Sequence, residues 1–223
     1  MTSLGSQTQQ KNDAAADVVS LARWRVVCSA LGASDCDREH QKLLRTWAGF
    51  GRHYHTVDHL TACLREFDRA RSLAARPAEV ELGLWFHDAI YRTYRSDNEA
   101  RSAEWAARFL ASHGVSSDVV SRVRELILVT AHSAAVLTAD AALVADVDLS
   151  ILGQPTVVYD EFERNVRKEY WWVPKRRYGD ARSRILQGFL ARAAIYHWPH
   201  FRESYEEAAR KNLRRAIDAL ASS

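Results

Sequence analysis

Glycine and proline are scarce in this chain, with nine and four among 223 residues. A fold of many short strands needs both at its turns, so their rarity argues against a sandwich or a barrel. Cysteine is scarcer still. Cys28, Cys36 and Cys63 are odd in number and form no Cys-x-x-Cys pair, which argues against a disulfide framework or a zinc ribbon and fits a reducing compartment. No stretch approaches the roughly twenty apolar residues of a membrane span, and the polar first residues contain no apolar core of a secretory signal. The formal net charge is only +3, and no Lys/Arg run is long enough for a nucleic-acid arm. The densest basic patch, Lys175-Arg176-Arg177, reads as a solvated loop or as a rim facing phosphate. These absences lead us to expect a soluble, cytoplasmic protein with no membrane partner and no specific nucleic-acid signal.

What is present favours helices. Hydrophobic residues make up 47% of the chain, enough for a substantial core, and aliphatic residues, Ala, Arg and Glu dominate. After a polar tail over 1–17, expected to be disordered, helical periodicity begins near Val18 and scarcely stops. Leu21, Trp24, Val26 and Cys28 form a first stripe, and Leu43, Leu44 and Trp47 a second. A long helix is expected from Thr56 to Ala75. Pro77 suits the first turn of the next, which should run to Tyr91. Ser96-Asp97-Asn98-Glu99 reads as a capping box, Ser116 or Ser117 as a further N-cap for a helix to His132, and Thr138 as the cap of a helix from Ala139 to Leu152. Three more helices follow, near 156–172, 181–196 and 203–220. About ten helices, no strand, no linker and no repeat describe one all-α bundle over 18–223.

Three stretches concentrate residues that bind metals. Tyr54-His55-Thr56-Val57-Asp58-His59 places two histidines four apart, on one face if the helix starts early enough. Trp85-Phe86-His87-Asp88 embeds a histidine and an acid in an apolar segment. A buried carboxylate is costly unless paired or metal-bound. Ala145-Asp146-Val147-Asp148-Leu149 raises the same question with two acids. Any one of these has an ordinary explanation as a hydrogen-bonded core histidine or an acid paired with arginine. Together they offer nitrogen and oxygen ligands suited to Mn, Fe, Ni, Co, Zn or Mg. Two residues apart on a helix point in nearly opposite directions, so Asp146 and Asp148 do not both reach one ion; Asp148 is favoured slightly and both stay open.

His55, then His87-Asp88, then a later acid resembles the signature of the HD superfamily of metal-dependent phosphohydrolases. The likeness extends to Asp97-Asn98-Glu99-x-Arg101-Ser102-Ala103, to Asp146-x-Asp148-Leu149-Ser150-Ile151-Leu152-Gly153 and to later blocks, so that it covers most of the chain. It is similar in this to a bacterial branch described as predicted HD-domain phosphohydrolases. The resemblance implies an all-α HD-type bundle, a divalent metal ion on His55, His87, Asp88 and Asp148 or Asp146, and hydrolysis of a phosphate ester or anhydride of a small metabolite, nucleotides among them. It also implies roles near the metal for His87 and Asp88, and brings forward His59 and His132 as further ligands or as donors to a phosphoryl oxygen. The ordinary alternative for His132 is a helix-terminal charge. Arg92 and Arg95, shortly after the His-Asp pair, are candidates to neutralise phosphate, and Arg92 is the one we carry forward as catalytic.

Two other readings stand beside this one. Some HD proteins hold two irons and use oxygen, and a metal-stabilised helical domain can sense a nucleotide or bind a protein without catalysis. Tyr170-Trp171-Trp172 and Trp198-Pro199 could stack on a base, cover the core, or form the contact of a homodimer.

Overall fold

A computed structural model describes residues 18–132 and 138–222. The tail over 1–17 lies outside the described residues. Ten α-helices of ten or more residues and no strand are present among those described, so the expected all-α class and helix number hold. No single helix there is long and apolar enough to cross a membrane. The described residues gather into two compact units divided between Val144 and Ala145.

The first unit contains α1 (Leu21–Ala30), α2 (Asp37–Trp47), α3 (Val57–Ala70), α4 (Pro77–Phe86), α5 (Asn98–Ser112) and α6 (Ser117–Leu128). The sequence places the starts through caps it can afford locally. Ser20 accepts from the N–H of Arg23 at the head of α1, and Thr56 accepts from that of Asp58 at the head of α3. In α1 the buried stripe is Trp24, Val27 and Cys28, whereas Val26 is exposed. Trp24, Trp85, Phe86 and Phe109 pack ring against ring as the aromatic core.

Helix α4 is the spine of this unit, because every residue from Glu79 to Phe86 is buried. Its two acids are matched to arginines on other elements. Glu81 accepts from Arg23 of α1 at 2.6 Å and from Arg71 at 2.5 Å, while Arg23 also forks onto Asp68 of α3. Glu79 takes a two-pronged contact from Arg122 of α6. The amino end of α4 is held from outside: the carboxylate of Asp140 accepts from the N–H groups of Ala75 and Arg76, satisfying donors that a helix start leaves open.

Several boundaries differ from the sequence reading. The helix over 56–75 stops at Ala70 and tightens into a 3₁₀ turn, Arg71–Leu73, where Arg71 reaches for Glu81. Helix α4 ends at Phe86, so His87 and Asp88 lie in the turn after it rather than on a helix. The capping box is not made. Asp97 is the residue before α5, and its carboxylate is held by Arg95 and Arg101 instead. These arginines hold its pKa below the usual carboxylate range.

Helix α7 (Ala139–Leu149) starts under the cap of Thr138, whose hydroxyl accepts from the N–H of Ala141. The second unit continues through a 3₁₀ turn (Ser150–Gly153), α8 (Thr156–Glu169), α9 (Lys175–Leu190), a helical turn at Pro199–Phe201, a π segment (Arg202–Glu206) and α10 (Glu207–Ala221). Its buried residues include Tyr159, Leu186, Tyr196, Phe201 and Leu213. Asn212 ties α10 down by donating to the carbonyls of Leu152 and Gln154. Trp171 and Trp172, for which a core role was one reading, are 76% and 49% exposed.

Gly153 is required by this packing. A Cβ there would stand 2.5 Å from Cβ of Tyr205 and 2.8 Å from its Cα and carbonyl oxygen, closer than real Cβ contacts come. We expect Gly153→Ala to destabilise the fold by about 1–3 kcal/mol, since backbone must move to make room. Urea unfolding would show it as a lowered midpoint, and an unchanged midpoint would contradict the close approach.

Candidate metal centre

The two chemistry-bearing turns meet because one half-buried arginine holds them together. Arg52 donates to the carbonyl of His55 at 2.8 Å, to that of Asp88 at 2.9 Å and to that of Ala89 at 3.0 Å. Its guanidinium lies over the rings of Trp47 and Tyr91. Three carbonyls from two separate segments are thereby satisfied by one planar cation, a task that suits the arginine fork. Tyr91 in turn stacks on the imidazole of His55 with ring centroids 3.9 Å apart.

Within this frame three histidines converge on one carboxylate. Oδ2 of Asp88 lies 3.2 Å from Nε2 of His87, 3.8 Å from Nε2 of His59 and 3.9 Å from Nε2 of His55. Nε2 of His59 and Nε2 of His87 are 3.1 Å apart. Ligand atoms bound at about 2.1 Å to a common ion at tetrahedral or right angles stand about 3.0–3.4 Å from each other. The His59–His87 and His87–Asp88 edges match that spacing, while His59 and His55 stand slightly wider from Asp88. His55 and His59 do not share a helical face, since α3 starts at Val57 and His55 belongs to the preceding turn.

The tautomer of His87 is set by its other nitrogen. Nδ1 is 2.8 Å from the carbonyl of Leu84, so Nδ1 carries the proton and Nε2 turns its lone pair towards Asp88 and His59. A ligating histidine is oriented in this way by its outer hydrogen bond. His87 is fully buried and His59 is 5% exposed. Trp47 packs on both rings and fixes itself by donating from its indole to the carbonyl of Trp85.

The donor set is wider than four residues. His59, Cys63 and His87 offer ligand atoms that all lie within 4.8 Å of one another, so this buried His/Cys/His group could hold a metal ion. The sequence reading used Cys63 only to argue against a disulfide framework or a zinc ribbon. Its signal was the spacing from His59, four residues along α3, which puts both on one face; Sγ lies 3.7 Å from the His59 ring nitrogens. Arg52 was missed altogether, because nothing local marks an arginine whose partners are carbonyls far along the chain.

The acid pair of α7 resolves into two different environments. Asp146, kept open as a ligand from sequence, accepts from the backbone N–H of His197 and of Trp198 and contacts Nδ1 of His197 at 2.9 Å. It anchors the approach to Pro199 in the second unit. Burial pushes its pKa up while those hydrogen bonds pull it down, with burial the larger effect.

The remaining candidates are placed as follows. Arg92 is exposed, its backbone N–H and carbonyl both bonded to the side chain of Asn98. Arg95 is engaged by Asp97. His132 follows a 3₁₀ turn at φ 52°, immediately before residues 133–137. No family model, curated protein or solved structure matches the chain.

We expect Arg52→Lys to weaken binding of a divalent ion by about 10- to 100-fold, the usual cost of losing an outer-shell partner. A lysine keeps the charge but cannot span three carbonyls. Calorimetric titration with Mn(II) measures this, and an unchanged dissociation constant would show that the two turns hold without the clamp.

Proposed function

We propose that the chain is an HD-type, metal-dependent phosphohydrolase acting on a phosphate ester or anhydride of a small metabolite, nucleotides among them. The observation that carries this reading is the approach of three imidazole Nε2 atoms to a single carboxylate oxygen, with His87 held in the ligating tautomer. His55, His87 and Asp88 supply the ligands of the HD pattern, Asp148 rather than Asp146 is its last acid, and His59 and Cys63 extend the set. A divalent ion bound there would lower the pKa of its water and offset charge on the phosphoryl oxygens. The protein's own part is to hold the donors rigid: Leu84 orients His87, Tyr91 orients His55, and Arg52 fixes the distance between their segments. Arg92 follows Tyr91 directly in sequence, and among the described residues its guanidinium has no carboxylate partner. It is our choice for steadying substrate phosphate.

A panel of phosphomonoesters, phosphodiesters and nucleotides, assayed with Mn(II), Co(II), Ni(II), Zn(II) and Mg(II), tests the reading. At least one member should be cleaved, and Asp88→Asn should reduce that cleavage to background with helical content intact. A second reading draws on the extra donors His59 and Cys63, which give room for a second ion and thus for di-iron oxygen chemistry. Two irons per chain after anaerobic purification, with no hydrolysis across the panel, would replace the first reading with this one.

A further inference from the structure

The second unit contains a cavity of about 1010 Å³, lined by residues of α8, α9 and α10. Its charge is lopsided. Arg164, Arg167, Lys168, Lys175, Arg176 and Arg215 line it against Asp160, Glu163 and Asp180, six cations to three acids and hence a net +3. Two of the acids are already matched: Asp160 by Arg215 at 2.6 Å, and Glu163 by the deeper Arg182 at 2.6 Å. Arg167 gives its N–H groups only to the carbonyls of Tyr170 and Val173, and Lys168 reaches only the amide of Asn165. Among the described residues Arg164, Lys175 and Arg176 have no hydrogen-bond or ion-pair partner.

Two further features ask for an anion here. The first turn of α9 begins Lys175-Arg176-Arg177, has no acid, and has no side-chain cap at Pro174. Open N–H groups and the helix dipole favour negative charge at that end, and three cations work against it unless an anion is present. Independently, the hydroxyl of Tyr178 is buried without a hydrogen-bond partner, although the residue is 8% exposed and lines the cavity. Buried hydroxyls are normally satisfied. Burial pushes the tyrosine pKa up to about 12, so at neutral pH the group is an O–H donor awaiting an acceptor. On one side Ala216, Ala219 and Leu220 supply apolar wall.

We infer that this cavity binds an organic polyphosphate, with two or more phosphate groups at Lys175, Arg176 and the head of α9 and the organic part against the α10 wall. The site is built wholly from the second unit and does not depend on the metal reading.

The test is a titration of the full-length chain in EDTA, so that no hydrolysis at a metal centre consumes the probe. ATP and inorganic pyrophosphate are the two probes. We expect saturable binding of ATP that weakens steeply as salt rises, and weaker binding of pyrophosphate, which lacks the organic part. The double substitution Lys175→Glu, Arg176→Glu, at exposed positions, should lower ATP affinity at least tenfold. Tyr178→Phe should lower it several-fold while leaving the thermal midpoint unchanged or higher, because the hydroxyl removed has no partner in the unliganded fold. Absence of saturation at millimolar concentrations of both probes would overturn the inference. So would equal affinity in the charge-reversed and parent proteins.

Discussion

Substituting His87 by alanine is expected to abolish binding of divalent metal and, with it, hydrolysis of any phosphoester the parent protein cleaves. The expectation follows from where the ring sits. Its Nε2 is 3.1 Å from that of His59 and 3.2 Å from Oδ2 of Asp88, so it stands at coordination spacing from both a nitrogen and an oxygen ligand. Losing an outer-shell partner costs about 10- to 100-fold in affinity; loss of this ligand should exceed that. A thermal-shift measurement separates the metal effect from a folding defect. An ion present at a hundred times its dissociation constant stabilises the parent by about 2.7 kcal/mol, roughly 5–11 °C for a chain of this size. His87→Ala should lose that increment. Asp88→Asn keeps the shape of the side chain and should lose it too. If either variant kept both the increment and the activity, the centre would not be where these residues meet.

The helices were legible because their signals are local. Ser20, Thr56 and Thr138 cap the helices they precede, and the apolar period recurs throughout the chain. The ends that moved did so through partners distant in sequence. Helix α4 stops at Phe86 where the side chain of His87 takes the Leu84 carbonyl and Arg52 takes those of Asp88 and Ala89. A helix continuing to Tyr91 would need the Leu84 carbonyl for the N–H of Asp88 in its own ladder. The candidate histidines and Asp88 could be found as polar interruptions of apolar sequence, which is a local anomaly. Asp146 and Asp148 present the same anomaly, and only the backbone N–H groups of His197 and Trp198, some fifty residues on, distinguish them. Cys63 was hidden by its apolar habit: among apolar residues in a helix it reads as core.

Glu81→Gln should be among the most destabilising single substitutions in the first unit, although it preserves size and touches no proposed ligand. The Glu81 carboxylate is 2% exposed and receives Arg23 on one oxygen and Arg71 on the other. An amide can offer its oxygen to one guanidinium only, and its NH₂ then faces the donors of the second. Removing one partner of a buried pair typically costs about 3–5 kcal/mol. Arg71 is 44% exposed and Arg23 keeps its fork on Asp68, so solvent and the remaining acid soften the loss. We therefore expect about 3 kcal/mol in urea unfolding, at the lower edge of that range. The pair Arg25–Asp37 serves as the contrast. Its contacts are as short, but the two side chains are 58% and 42% exposed, so Asp37→Asn should scarcely move the midpoint. A double-mutant cycle over Arg23→Ala and Glu81→Ala then measures the pair itself, with a coupling of about 0.5–3 kcal/mol expected for partners in one network. A Glu81→Gln midpoint no lower than that of Asp37→Asn would mean that α4 is held by its apolar faces alone. The turn bearing His87 and Asp88 would then owe its position to Arg52 and not to the ion pairs beneath it.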